Sequence, residues 1–506
     1  MIDARAELRA AAPAVLRAAD VSTWRQATDV LIVGYGAAGA SAAVAAREAG
    51  AEVTILERAS GAGGTSGIAG GHLYLGGGTP VQQACGFDDS PAEMYRYLEA
   101  LTPDPDPRKL RLYCDGSVAH FHWLEAHGVP FDRSYYPGKA AMQPGKECLI
   151  WSGNEKVWPF RDLAKPAPRG HKVAFDGPDG GGGLLMQVLS QAAERAGARA
   201  LFDTRVTNLV ADDAGRIAGV HAVVGGREVF VQARRGVVLA AGGYIMNEDM
   251  FAHELAWMPR DLIRQGTPGD DGAGVLLGLS AGAAARGLTR AFLTTPFYPP
   301  ESMIKGILVN AEGKRFVAED SYHGRSAGFI VEQPEGIVYL VLDAATFGYP
   351  PYDFFEQRLV DGFDSVEEME ARLALPAGSL VRTLADYNAR AARGEDPAFH
   401  KHEDWLQPLD QGPWAAFDLS VGRAKYGGFS LGGLDVSADG EVRNASGAAI
   451  AGLYAAGATA WNIAQDTRGY SSGTCLGEAT FFGRRAGEAC ARHTNPRSTD
   501  TTEQSA

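Results

Sequence analysis

Three features of the sequence predict an α/β fold with a second domain inserted into the first. Residues Ala27 to Arg58, ATDVLIVGYGAAGASAAVAAREAGAEVTILER, read as strand, Gly-rich turn, Ala-rich helix, second strand and terminal acid. Apolar strands that run into Gly return at Gly236 to Ala240, before Ala241-Gly242-Gly243, and in the run that ends at Gly457. Between about Leu288 and Phe429 the texture changes to more strands and aromatics. The expected layout is a loose helical leader over 1–24, a Rossmann-type nucleotide-binding domain over 25–287 that resumes over 430–493, an α+β insertion over 288–429, and a polar disordered tail over 494–506.

The first strand, Asp29 to Val33, leads into Gly34-Tyr35-Gly36-Ala37-Ala38-Gly39. In a Gly-x-Gly-x-x-Gly turn the first Gly makes the tight bend, the second lets a pyrophosphate approach the backbone, and the third lets helix touch strand. The phosphates then rest on a helix N-terminus. Glu57, closing the second strand about twenty residues on, stands where an acid takes a ribose hydroxyl pair. Any Gly-rich turn can imitate the motif alone. Here strand, helix, second strand and acid follow in order.

Gly61 to Gly71 is a run of Gly, Ser and Thr beside the nucleotide fold, with few side chains to keep a diphosphate or a flat ring away. Ser90-Pro91-Ala92-Glu93 carries a helix-start signature, and Ser90 to Gly128 reads as helix on either side of the Pro-rich break Thr102 to Pro107. Ser134 to Gly183 mixes Gly and Pro with Tyr135, Tyr136, Trp151, Trp158 and Phe160, which suggests an ordered cover over a pocket, with plain packing as the alternative. A helix over Gly183 to Gly197 precedes four short strands with turns at Asp212 to Gly215 and Gly225-Gly226. Gly266 to Gly274 opens another helix whose positive end faces phosphate. The last helix runs from near Gly473 to near Ala491.

Composition excludes several classes of function. With 506 residues, 45% of them apolar, the chain can form large cores, and a net charge of −14 with no basic stripe argues against nucleic acid or an anionic membrane as partner. The five cysteines have no Cys-x-x-Cys spacing, so neither a disulfide framework nor a metal site is suggested. The N-terminal residues fit a signal peptide poorly, and no run of eighteen apolar residues occurs, which predicts a cytoplasmic protein without a membrane span.

These motifs in register resemble the FAD-dependent fumarate reductase and succinate dehydrogenase flavoprotein superfamily. They are the Gly34 fingerprint, Gly63-Gly64-Thr65-Ser66, Val237 to Gly243, Gly269-Asp270-Asp271-Gly272, Gly306 to Asn310 with Gly313-Lys314-Arg315-Phe316, and Gly452 to Gly457. The resemblance implies FAD and a capping role for the insertion. Its implied FAD contacts are Gly34, Gly36, Ala37, Ala38 and Gly39, then Glu57 and Arg58, then Gly63, Gly64, Thr65, Ser66, Ala69, Gly70 and Gly71. They continue with Val206, Ala241, Gly242, Asp271 and Gly457, and with Gly473, Thr474 and Leu476 on the last helix. Covalently flavinylated members attach FAD through a His after the second strand. Ser60 to Gly71 contains none and His72 lies beyond, which implies non-covalent FAD.

The fumarate and succinate members hold a dicarboxylate with arginine, where this chain has Tyr470, although Arg468 remains nearby. A neutral phenol cannot balance a carboxylate but can hydrogen-bond a ketone. Within the superfamily the segments YLGGGTPVQQACGFDDSP, PAPRGH, GILVNAEGKRFVAEDSYHGR and GYSSGTCLGEATFFGRRAG resemble the flavin 3-ketosteroid Δ4-(5α)-dehydrogenases. That likeness implies an active site of Tyr322, Tyr470 and Ser472, a 3-ketosteroid substrate and an electron acceptor that the sequence does not identify.

Desaturation next to a ketone needs loss of an α-proton and departure of a β-hydride to flavin N5, so the protein supplies a base and stabilises the enolate oxygen. If 469–473 is extended, Tyr470 and Ser472 share a face, and the serine hydroxyl passes its proton to that phenol. Tyr322 is then the donor to the ketone. Four alternatives remain open: a 3-ketosteroid Δ1-dehydrogenase, whose Asn-Thr-Tyr-Pro-Gly-Pro-Gly differs from Arg468 to Gly473; a reductase or dehydrogenase of another bulky ketone; a reductase of unsaturated acids; and an electron-transfer subunit without a substrate pocket.

Overall fold

The computed structural model describes residues 11–140, 143–350 and 358–493. Its spine is a run of five parallel strands in a nine-stranded sheet, ordered Arg199–Leu201, Val53–Leu56, Gln26–Val33, Arg227–Leu239 and Ala449–Ala455. Such a sheet is covered on both faces, so its strands read as continuous apolar runs rather than alternating ones. Val30, Leu31 and Ile32 are accordingly fully buried.

The helix Ala37–Glu48 covers the sheet and is itself covered by Thr474–Arg492. Small residues permit that contact. A Cβ at Gly483 would lie 2.5 Å from Ala38 O, and one at Gly487 only 2.1 Å from Ala42 O. The Ala-rich sequence of the first helix thus follows from its burial between two neighbours.

Two helices, Pro91–Leu101 and Pro107–Ala126, flank the expected Pro-rich break, and the side chains of Ser90 and Asp106 cap them. Thr204–Ala211 and Ile217–Val224 extend the large sheet antiparallel beyond Arg227–Leu239. Four strands do follow the helix Gly181–Arg195, but the last is one continuous element rather than a short strand starting at Gly236. Its register shifts between Ala233 and Gly236, where it changes partner from Ile217–Val224 to Ala449–Ala455.

The insertion carries a separate four-stranded antiparallel sheet, ordered Ile307–Asn310, Val338–Asp343, Trp414–Asp418 and Leu359–Phe363, with its own apolar cluster against the helices Val366–Arg372 and Ser379–Ala391. The chain then returns through the hairpin Glu441–Arg443 and Ala449–Ala455 to the first sheet, as expected. The leader differs from the loose helix foreseen. In its described part Leu16–Arg17 pairs with Val210 and Ala211 as an edge strand. Residues 1–10 and the tail 494–506 lie outside the described residues. Among the described residues no helix is long and apolar enough to cross a membrane.

Candidate active site

A cavity of about 990 Å³ crosses the carboxyl ends of the parallel strands, at the upper end of the range for small-molecule sites. Open α/β sheets bind ligands there because the loops leaving the strands diverge. Val33, Leu56 and Ala240 lead into the cavity at Gly34, Glu57 and Ala241, and Gly457 lies two residues beyond Ala455. Gly34 has φ +100°, and a Cβ there would sit 2.4 Å from Ala240 O, so the bend admits only Gly.

The loops around this end are tied to one another. Glu57 Oε2 accepts from Tyr35 N at 2.7 Å and its Oε1 from Ala59 N at 2.8 Å. Ser66 Oγ accepts from Ala37 N at 3.1 Å, which fixes the Gly-rich loop to the first helix. Thr65 Oγ1 accepts from Thr267 N at 2.9 Å and donates to the Asp270 carboxylate, joining that loop to the 266–270 turn.

At the other end Tyr322, Tyr470 and Ser472 line the same cavity with Phe292, Tyr298 and Phe429. Tyr322 caps the helix His323–Ile330, and Tyr470 and Ser472 come from the loop before Thr474–Arg492. Ser471 turns the opposite way, onto Tyr97 OH at 3.1 Å. Side-chain alternation therefore holds, although this segment is loop rather than strand.

The hydroxyl pairing differs from expectation. Ser472 Oγ lies 2.7 Å from Tyr322 OH, so the serine's partner is Tyr322 and not Tyr470. The Tyr470 ring instead packs against Phe292 at a tilt of 48°, centroids 4.6 Å apart. Burial pushes both phenols well above the usual range; Tyr298 beside Tyr322 and Cys475 beside Tyr470 add to it, while the Ser472 bond works the other way on Tyr322. Both phenols are therefore neutral donors at neutral pH. Arg468 does not line the cavity: it pairs with Glu332, donates to Gly328 O at 2.9 Å and lies over the Phe329 ring.

The FAD binding domain family matches residues 29–474. The 3-oxo-5-alpha-steroid 4-dehydrogenase of Comamonas testosteroni is 31% identical, over 87% of this chain and 94% of its own length. The crystal structure of 3-ketosteroid-delta4-(5alpha)-dehydrogenase from Rhodococcus jostii RHA1, in complex with 4-androstene-3,17-dione, matches at 39% identity with a TM-score of 0.90, covering 95% of this chain and 100% of that one. This chain belongs to the FAD-binding 3-ketosteroid Δ4-dehydrogenase family. The 3-ketosteroid delta1-dehydrogenase of Sterolibacterium denitrificans, at 20% identity and a TM-score of 0.67 over 92% of this chain and 99% of its own, shares the fold.

The residues of this flavoprotein fit FAD. The N-termini of Ala37–Glu48 and Thr474–Arg492 both meet the cavity, with Gly36 and Gly473 as their caps. A Cβ at Gly36 would meet nothing nearer than Ser66 Oγ at 3.4 Å, so the space beside it is open to a phosphate. The Glu57 carboxylate keeps lone pairs beyond the two amides that it accepts, enough for a ribose diol. Gln265, which also lines the cavity, has a buried Oε1 without a hydrogen-bond partner among the described residues.

Most of the residues expected to hold FAD line the cavity: Gly34, Gly36, Ala37 and Ala38; Glu57 and Arg58; Gly64, Thr65, Ser66, Ala69, Gly70 and Gly71; Val206, Ala241, Gly242 and Gly457; Gly473 and Leu476. Four do not, each for a local reason. Gly39 sits under the turn, where a Cβ would lie 2.1 Å from Gly34 O, which is the helix-to-strand role expected of it. Gly63 is turned inward, its amide donating to Tyr35 O at 2.9 Å. Thr474 is consumed by Ser471 O at 2.8 Å.

Asp271 faces outward to pair with Arg58 at 2.6 Å, and its neighbour Asp270 takes the cavity side, accepting from Gly243 N at 2.9 Å. Gly-Asp-Asp-Gly does not say which acid turns in. The aromatics of the expected cover also stay out of the cavity. Tyr135 and Trp151 pack on Phe87, Phe160 on Tyr97, and Trp158 on His400, so plain packing describes them. The sequence reading missed Phe292, Tyr298 and Phe429, whose only signal was the aromatic texture of the insertion.

Proposed function

We propose that this flavoprotein desaturates the C4-C5 bond of 3-keto-5α-steroids. One observation carries the reading: a hydrogen-bonded phenol–serine pair and a second phenol share an aromatic wall, while the nearby arginine turns away. The Comamonas and Rhodococcus relatives, which act on 3-ketosteroids, support the same substrate class.

Bound FAD supplies the hydride acceptor. Tyr470 donates to the C3 ketone oxygen and stabilises the charge that develops there as the α-proton leaves. One of the Tyr322 and Ser472 hydroxyls takes that proton and hands its own to its partner across the 2.7 Å bond, and the partner's own proton leaves to water in the cavity that both line. Neutral hydroxyls are weak bases, so proton loss depends on polarisation of the ketone. The assignment exchanges the phenol roles read from the sequence, because the serine bonds Tyr322.

We further take FAD to be non-covalent, since His72 Nε2 is engaged by Gln143 Oε1 at 2.7 Å. The domain bounds 25–287, 288–429 and 430–493 and a cytoplasmic location belong to the same reading, the latter supported by free thiols at Cys85, Cys114, Cys148, Cys475 and Cys490. Anaerobic addition of a 5α-3-ketosteroid tests the activity. The flavin absorbance is expected to bleach and the product to carry a C4-C5 double bond; a C1-C2 double bond, or reoxidation by fumarate, would overturn it.

A further inference from the structure

We infer that Asn154 is a positioning residue for the Tyr322–Ser472 pair, and that residues 152–155 form the clamp that sets the distance between the two hydroxyls. The inference rests on the function proposed above. Tyr322 and Ser472 stand 150 residues apart in the chain, so no local geometry holds them together. Both of their main chains are bonded to one short segment. Tyr322 N donates to Asn154 Oδ1 at 3.0 Å, and Ser472 N donates to Ser152 O at 2.8 Å.

The segment is immobilised from behind. Asn154 N donates to Tyr97 OH at 2.7 Å, and that same oxygen meets Ser471 Oγ at 3.1 Å. Gly153 N donates to Glu155 Oε2 at 2.9 Å, while Glu155 Oε1 accepts from Tyr74 OH at 3.1 Å. A Cβ at position 153 would lie 2.1 Å from Ser471 Oγ and 2.6 Å from Tyr97 OH, so the clamp closes only around a Gly. Asn154 is fully buried, and its Oδ1 is the neutral acceptor that the Tyr322 amide needs there. Losing it frees the main chain that carries the phenol, and a shift of the order of 1 Å in a reacting group costs up to about a hundredfold in rate.

The test is a double-mutant cycle on the FAD-loaded protein, read by single-turnover flavin reduction with a 5α-3-ketosteroid and by the steroid dissociation constant. Asn154→Ala is expected to slow reduction by about ten- to a hundredfold and to change steroid binding by less than about threefold. In a Ser472→Ala background the same change is expected to cost less than about threefold, because the pair it positions is already broken. Equal losses in both backgrounds, or a loss confined to binding, would overturn the inference. Should Asn154→Ala fail to retain FAD, Tyr97→Phe, which removes the hydroxyl that anchors both Asn154 N and Ser471 Oγ behind the clamp, reads the same coupling with the same outcomes. If Ser472→Ala alone leaves reduction undiminished, the proposed function fails as well. If Ser472→Ala is slow but the changes add, only the clamp fails.

Discussion

At the cofactor end of the cavity the chain presents main-chain ends: two helix N-termini, a Gly-rich bend and loops tied together by Thr65, Ser66 and Asp270. At the substrate end it presents side chains, a phenol and a serine 2.7 Å apart brought from loops 150 residues distant. The first kind of site is specified by short spacing, because helix ends and turns are local. The second exists only once the insertion has folded over the sheet. Changes at the two ends should therefore fail differently: the first should lose the flavin, the second should keep it and lose the chemistry.

The largest effect is expected at the bend. Gly34→Ala forces a side chain into a positive φ and against Ala240 O, which should cost about 2–4 kcal/mol and abolish FAD retention. The ratio of flavin to protein absorbance in the purified variant reads this. Next comes Tyr470→Phe, for which loss of one oxyanion donor predicts a slowing of flavin reduction by about a hundred- to a thousandfold. FAD content should stay as in the parent; flavin loss here would erase the contrast between the ends.

A smaller effect is expected from Glu57→Gln. Losing charge-assisted bonds should weaken FAD by about ten- to a hundredfold without altering the reduction rate of the loaded protein, as equilibrium dialysis and stopped flow would show. A changed rate would mean that the ends communicate.

The smallest effect is one in which the ends agree. Burial pushes His72 at the cofactor end down to about 4 and His323 at the substrate end to about 3, with Lys172 and Lys139 respectively pushing the same way; the Gln143 bond opposes the shift at His72. His171 at about 4 and His120 at about 3 behave alike. Their folded values lie below the unfolded value of about 6.5, so their stability is fully present above that pH and is lost as pH falls toward 4 and 3. The unfolding free energy should drop between pH 6.5 and 5, with a slope that is shallower in His120→Gln by at most ~1.4 kcal/mol per pH unit, the limit for one titrating group, as denaturant melts across that range would show. The reduction rate should show no histidine titration over pH 6 to 8.

The features legible in the sequence follow the same division. The strand, turn, helix and acid of residues 27–58 were legible because apolar burial and Gly geometry act over a few residues, and the return of the chain at Gly457 was legible for the same reason. The choice of Asp270 over Asp271 was not, since a one-residue phase in a loop is set by its neighbours Thr65, Thr267 and Gly243. The identities of Tyr322, Tyr470 and Ser472 came from motif likeness. Which of the two phenols holds the serine was decided only when distant loops were clamped by residues 152–155. Sequence by itself determined the sheet and its phosphate-facing turn, because those depend on local period and backbone conformation. Tertiary structure alone decided the hydroxyl pairing and the aromatic wall, because a hydrogen bond between remote side chains depends on how the segments that carry them are packed.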